Sequence, residues 1–195
     1  MFEVRGGERA FVYDYDDTVF DRGSIVRGGS SLKTRRALSQ PKRIPSLNTI
    51  PVLNRQVVDA PIINPFELIS FLFHRRRGVF PQARDEITKA FEAGIDIFGN
   101  TGRLNKKPWV NITDRTLERG GIRPFLQGSF FTPVGVRVLI SKIDALREVQ
   151  SKYEVVDYFE DDEVTARGVK LVLPEVNVHI VRFESNKRVV SDLLK

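Results

Sequence analysis

Arg9-Ala10-Phe11-Val12-Tyr13-Asp14-Tyr15-Asp16-Asp17-Thr18-Val19 is the stretch on which the reading of this chain turns. Its first five residues are β-prone, and the run ends abruptly in three aspartates, so a strand feeding an acidic loop is expected. Downstream the pattern alternates. Residues 82–93 carry Ala83, Ile87, Ala90 and Phe91 at helical spacing and stop at Gly94, and 95–98 then reads as a strand. A helix over 111–119 ends at Gly120-Gly121, 124–131 reads as extended chain, and 141–153 reads as a helix with Ile143, Leu146 and Val149 on one side. Strands over 155–159 and 176–181 follow, with a short helix expected near 187–194. Strands separated by helices imply an α/β, Rossmann-like, mostly parallel sheet with helices on both faces.

Size and composition bound the rest. At 195 residues with 41% hydrophobic and 29% charged residues, the chain fits one domain with a real interior and one sizeable insertion. Cysteine is absent, which excludes disulfides, thiolate metal sites and a cysteine nucleophile. His74 and His179 have no partner at ligand spacing, so a metal here is expected to be a hard cation on oxygen ligands. No apolar run reaches the length of a membrane span, and a soluble, cytoplasmic protein is expected.

In a parallel sheet, ligands bind beyond the carboxyl ends of the strands. Asp14, Asp16 and Asp17 follow the first strand, Asn100-Thr101-Gly102-Arg103 the second, Ser141-Lys142 open a later helix, and Glu160-Asp161-Asp162-Glu163 follow a fourth strand. Two acidic clusters at separate strand ends would face one another, and a divalent cation would relieve their repulsion. Taken singly, each cluster has an ordinary rival reading, because acids at turns commonly cap helices or sit in solvent. Asp96, inside a buried strand, is expected at the strand edge or with a hydrogen-bond partner.

This set of residues resembles the haloacid dehalogenase-like hydrolase superfamily. Asp14-Tyr15-Asp16-Asp17-Thr18 matches its first motif, DxDx[TV] after a hydrophobic strand; Thr101 matches the second motif, Lys142 the third, and Glu160-Asp161-Asp162 the acidic fourth. The resemblance covers 9–21 and about 79–170. It implies that Asp14 is the nucleophile, forming an aspartyl-phosphate, and that Asp16 protonates the leaving oxygen and then activates water. It also implies a magnesium ion held by the Asp14 carboxylate, the Asp16 backbone carbonyl and either Asp161 or Asp162. Asp161 is favoured, because the preceding strand is expected to end at Phe159. Thr101, Gly102 and Lys142 would hold phosphate oxygens. The implied activity is magnesium-dependent hydrolysis of a phosphomonoester, with phosphoryl transfer to another acceptor as a variant.

Residues 1–21 and 79–195 make up this core. The stretch 22–78 reads as a cap-type insertion after the first strand: Pro41, Pro45, Pro51 and Pro61 punctuate it, a β-prone piece lies near 50–58, and Asn64-Pro65 opens a helix running to about Arg77. His74-Arg75-Arg76-Arg77 is expected to be a solvated helix terminus. Gly6-Gly7 and Gly28-Gly29 read as turns. The insertion is rich in Arg and Lys, and the whole chain carries a formal charge of +6, which favours a polyanionic substrate such as a nucleotide or a nucleic-acid phosphate. The rival reading is a weak or inactive protein of the same fold that binds nucleic acid or a protein partner through this basic segment.

Overall fold

Which face of the sheet each strand residue joins is set by alternation, and two cores result. The computed structural model describes residues 8–21, 57–62, 65–75, 77–184 and 187–193 of the chain. In order these form β1 (Arg9–Tyr13), β2 (Phe20–Asp21), α1 (Pro65–His74), β3 (Gly78–Val79), α2 (Pro81–Glu92), β4 (Asp96–Leu104) and α3 (Lys107–Gly120). A 3₁₀ turn (Arg123–Phe125), β5 (Leu126–Thr132), α4 (Val138–Gln150), β6 (Val155–Glu160), α5 (Glu163–Val172), β7 (Asn177–Glu184) and β8 (Lys187–Asp192) complete them.

Six strands form one sheet in the order β5-β4-β1-β6-β7-β8. β1 is central and pairs in parallel with β4 and β6; β5 and β7 extend the parallel array, and β8 closes one edge antiparallel to β7. Ala10, Val12, Phe98, Val156, Tyr158 and Val178 face a core shared with α4 and α5. Tyr13, Ile97, Phe159 and Val181 face the other, shared with α2 and α3. Period-two strands buried on both faces need helices on both, and this is the Rossmann-like α/β arrangement the sequence implies.

The chain builds outward from β1 through β4 to β5, then returns to lay β6 and β7 on the opposite flank. The direction of building therefore reverses between β1 and β6. In such sheets the crevice outside the strand carboxyl ends opens at that reversal. Asp14 follows β1 there, and Glu160 ends β6.

Local signals explain most element boundaries. α3 starts at Lys107, four residues before the sequence expectation, because Pro108 suits a first helical turn; it ends at Gly121 in the left-handed conformation, φ 72°. α5 was not anticipated, and it is nucleated by its N-cap Asp162. The expected helix near 187–194 is instead the strand β8: its Val189-Val190 pair is β-branched, and β7 would otherwise expose an unpaired edge. Asp96 opens β4 and accepts from Gln127 Nε2 (2.6 Å) and Tyr153 Oη (2.8 Å), as the cost of an unpaired strand carboxylate requires.

β2 and β3 pair antiparallel, with Phe20 opposite Val79 and Asp21 opposite Gly78. The basic segment 22–56, the Gly6-Gly7 and Gly28-Gly29 turns and the Asn64 cap lie outside the described residues, as does most of the β-prone piece near 50–58. Of that piece, Val58 forms an isolated bridge with Lys106. Among the described residues no helix is long and apolar enough to cross a membrane.

The β6–β7–β8 edge is tied by one imidazole. His179 stacks on Phe159 (4.7 Å), with Nε2 2.8 Å from Asp157 and Nδ1 2.9 Å from Asp192, while Arg9 Nε donates to Asp157 at 2.7 Å. Burial opposes the imidazolium, but Asp157 and then Asp192 outweigh it and raise the His179 pKa above its ordinary value. Burial also opposes the Asp157 carboxylate, but His179 and Arg9 outweigh it and lower its pKa. The His179 contribution is therefore complete below about pH 6.5 and disappears as pH rises through its raised folded value. That of Asp157 is present above about pH 3.9 and is lost as pH falls through its depressed one. His179→Gln should cost about 1–2 kcal/mol near pH 5.5 and much less at pH 9. Urea denaturation at the two pH values checks this; an equal loss at both would refute it.

Candidate active site

The loop after β1 is folded by its own buried residues. Asp14 N–H still donates to Phe159 O (2.9 Å), so Asp14 remains in ladder register, and the chain then leaves the sheet. Tyr15 turns inward, stacks on Phe20 (5.1 Å) and hydrogen-bonds Ser129. A Cβ at Gly99 would lie 1.9 Å from the Tyr15 hydroxyl, so only glycine admits this ring. Asp17 takes a left-handed φ of 62°, and the N–H groups of Val19 and Phe20 both return to Tyr15 O (3.1 and 2.7 Å). The result is a tight turn that leaves Asp14 at the strand tip, 4% exposed.

Three carboxylates meet one ammonium there. Lys142, in the second turn of α4, donates from Nζ to Asp14 Oδ1 (2.9 Å) and to Glu160 Oε2 (2.5 Å), and Tyr158 Oη also donates to Glu160. Asn100 Nδ2 donates to Lys142 O (3.1 Å), fixing α4 against the end of β4. Carboxylate oxygens of Asp14, Glu160 and Asp161 all lie within 4.8 Å of one another. Asp161 accepts from Thr18 Oγ1 at 3.5 Å.

Burial pushes the Asp14 pKa well above its ordinary value; Lys142 opposes this, and Glu160 and Asp16 reinforce it. Burial works against the Lys142 charge too, but Asp14 and Glu160 outweigh it and raise its pKa. Asp161 is pushed up to about 7 by burial and by the charges of Glu160 and Asp17. Three crowded acids against one cation form an oxygen-donor set that can hold a hard divalent ion.

Asp16 is placed in a different electrostatic setting. Arg103 grips its carboxylate with Nε (3.0 Å) and Nη2 (2.6 Å), Arg77 Nη1 donates at 2.7 Å, and His74 Nε2 lies at 3.4 Å. Burial opposes ionisation, but Arg103 and His74 outweigh it and hold the Asp16 carboxyl far below the usual carboxylate range. The pairing of β4 with β5 shifts register between Thr101 and Leu104, and this irregularity at Gly102-Arg103 lets Arg103 reach Asp16. His74 and Arg77 therefore do not form the solvated helix terminus expected of them. The helix stops at His74, and the chain beyond it carries Arg77 inward to 8% exposure.

The remaining candidates divide. Thr101 is buried; its Oγ1 accepts from Arg103 N–H (3.2 Å), and its carbonyl accepts from Thr132 Oγ1 (3.1 Å). A Cβ at Gly102 would meet Val138 Cγ1 at 3.2 Å, so a glycine here lets β4 approach the start of α4. Asp162 does not join the cluster: its side chain accepts from the N–H groups of Val164 and Thr165 (3.3 Å each) and from Thr165 Oγ1 (2.6 Å), which is helix capping. Asp161, the favoured acid of the fourth motif, lies in the cluster, and Glu160 joins it because β6 runs one residue past Phe159. Arg103 was legible only as part of a turn; the missed signal was that a buried Asp16 requires a counter-charge.

No protein-family model matches the sequence, and no curated protein matches it. Solved structures do. The L-2-haloacid dehalogenase from Xanthobacter autotrophicus, solved with chloropropionic acid covalently bound, matches with a TM-score of 0.51 at 14% identity, over 90% of this chain and 78% of its own. A crystal structure described as a dehalogenase matches with a TM-score of 0.51 at 13% identity, over 96% of this chain and 89% of its own. The class defined is a doubly covered, mostly parallel α/β sheet with its acidic residues at the point where strand order reverses. The chain has the haloacid dehalogenase-like fold.

Arg103 carries the local structure as well as local charge. Arg103→Met should destabilise the protein by about 2 kcal/mol, since Asp16 loses its two-point partner and keeps only Arg77 and His74. Adding Asp16→Asn should recover at least a third of that loss in urea denaturation; strictly additive losses would refute the pairing.

Proposed function

We propose that the chain is a phosphomonoester hydrolase that works through an aspartyl-phosphate on Asp14, with magnesium beside it. The observation that supports this most is the meeting of Asp14, Glu160 and Asp161 within 4.8 Å around a single ammonium. A 2-haloacid carries its own carboxylate, which this acidic cluster would repel, whereas a phosphate can enter together with a cation. Magnesium fits the donor set, since it prefers one or two carboxylates together with waters and phosphate oxygens. When bound, it would offset charge on the transferred phosphoryl group.

In this reading Asp14 attacks phosphorus, the bond to the leaving oxygen breaks, and an Asp14–phosphorus linkage forms. Lys142 keeps Asp14 aimed and neutralises charge as it develops. The Thr101 hydroxyl, whose oxygen accepts from Arg103 N–H, still has a proton to donate to a phosphate oxygen. The ionised form of Asp16 suits the second half, in which it takes a proton from the water that hydrolyses the linkage. Protonating an alkoxide leaving group first requires Asp16 to leave its arginines. The charge of +6 and the basic composition of 22–78 support a nucleotide or nucleic-acid phosphate as substrate.

Two outcomes check the proposal. Phosphate release from p-nitrophenyl phosphate should require magnesium and fall by at least about a thousandfold in Asp14→Asn. Release that survives the substitution would overturn Asp14 as the nucleophile, and salt-sensitive binding that survives it, without any turnover, would instead favour the binding-protein reading. Asp161→Asn should raise the magnesium needed for half-maximal rate by about tenfold or more. Asp162→Ala should change that requirement by less than about twofold while lowering stability by about 1 kcal/mol through the lost cap. The reverse ranking in metal titrations would overturn the assignment.

A further inference from the structure

Two of the three basic side chains around Asp16, those of Arg103 and His74, are held in place by contacts other than Asp16. Arg103 Nη1 donates to Thr113 Oγ1 (2.8 Å), and its guanidinium lies over the Phe20 ring (4.8 Å). His74 Nδ1 is 2.6 Å from Ser70 O, and its ring meets Trp109 edge to face at 5.3 Å. The helix that delivers His74 is itself pinned, because Glu67 binds Lys106 Nζ (2.9 Å) and Trp109 Nε1 (3.0 Å). Arg103 and His74 are therefore preorganised.

Exposure shows which member can be exchanged. The side chains of Arg103 and Arg77 are 2% and 8% exposed, whereas that of Asp16 is 23% exposed. A buried floor of guanidinium donors is thus covered by one short carboxylate that faces solvent. Guanidinium forks bind phosphate oxygens as readily as carboxylate oxygens. Asp16 is also two residues from Asp14, so whatever replaces it lies beside the proposed phosphoryl-transfer position.

We infer that Arg103, Arg77 and His74 form a second anion subsite, which takes another phosphate of the same substrate and for which Asp16 is the internal occupant. This rests on the proposed function. The substrate class is a phosphomonoester with a second phosphate nearby, as in a nucleoside bisphosphate or a phosphorylated nucleic-acid end. Binding exchanges one anion for another, and Asp16, released from its arginines, can take up a proton from solvent and pass it to the leaving oxygen.

The test compares kcat/KM, with magnesium present, for p-nitrophenyl phosphate, adenosine 3′-monophosphate, adenosine 3′,5′-bisphosphate and fructose 1,6-bisphosphate. The adenosine bisphosphate should exceed the monophosphate by about tenfold or more, chiefly through KM, and the advantage should shrink with salt. Arg77→Gln should bring that ratio to within about threefold of one, and Arg77→Lys should retain part of it. A matching gain with the sugar bisphosphate would assign recognition to the phosphates alone, and a gain confined to the nucleotide would add the base; both support the subsite. A wild-type ratio near one would overturn it, as would a ratio unchanged in an Arg77→Gln protein that keeps its far-ultraviolet circular dichroism. His74→Gln provides the same reading if Arg77→Gln does not fold. If no substrate releases phosphate, the proposed function fails, and the subsite is read by calorimetry with adenosine 3′,5′-bisphosphate on Asp14→Asn. Affinity at least tenfold weaker after adding Arg77→Gln supports the subsite, and equal affinity overturns it.

Discussion

One buried ammonium makes the site possible. Lys142 lies between Asp14 and Glu160 at the carboxyl ends of two neighbouring strands, and without it two enclosed carboxylates would face each other at close range. The cost of burying charge is large unless it is paired, so α4 must start where it does and lean on β4 through Asn100. The same constraint fixes β1 and β6 as neighbours, since a lysine can join only acids whose strands are adjacent. Fold and site are in that sense one problem, solved by a single side chain reaching from a helix across two strand tips.

A second balance sits beside the first and has the opposite sign. Around Asp14 acids outnumber the cation; around Asp16 cations surround the acid. A single residue, Tyr15, separates the two environments, and the left-handed Asp17 turns the loop immediately beyond them.

Much of this was legible in the sequence because the relevant signals were local. The β-prone run before Asp14, the apolar spacing of Ala83, Ile87 and Ala90, and the glycines that end helices all act over a few residues. What escaped depended on partners far along the chain. Asp161 joins the cluster as favoured, but Glu160 joins it too, because β6 extends one residue further than its pattern suggested, and Asp162 caps the next helix. Arg77 and His74 looked like a solvated helix end because nothing near them in sequence shows that Asp16, some sixty positions earlier, would be buried against them. β8 was read as helical because a pair of valines near a chain end carries little periodicity, and its strand character comes from the open edge of β7.

The short β2–β3 pair has a consequence for how such a molecule can change. Because Asp21 and Gly78 are held side by side, the core has already met the entropic cost of closing that excursion, and the cost grows only slowly with the length of chain between them. Length can be gained or lost between those two residues while the six-stranded sheet keeps its register, whereas any exchange that reaches His74 or Arg77 also alters what grips Asp16.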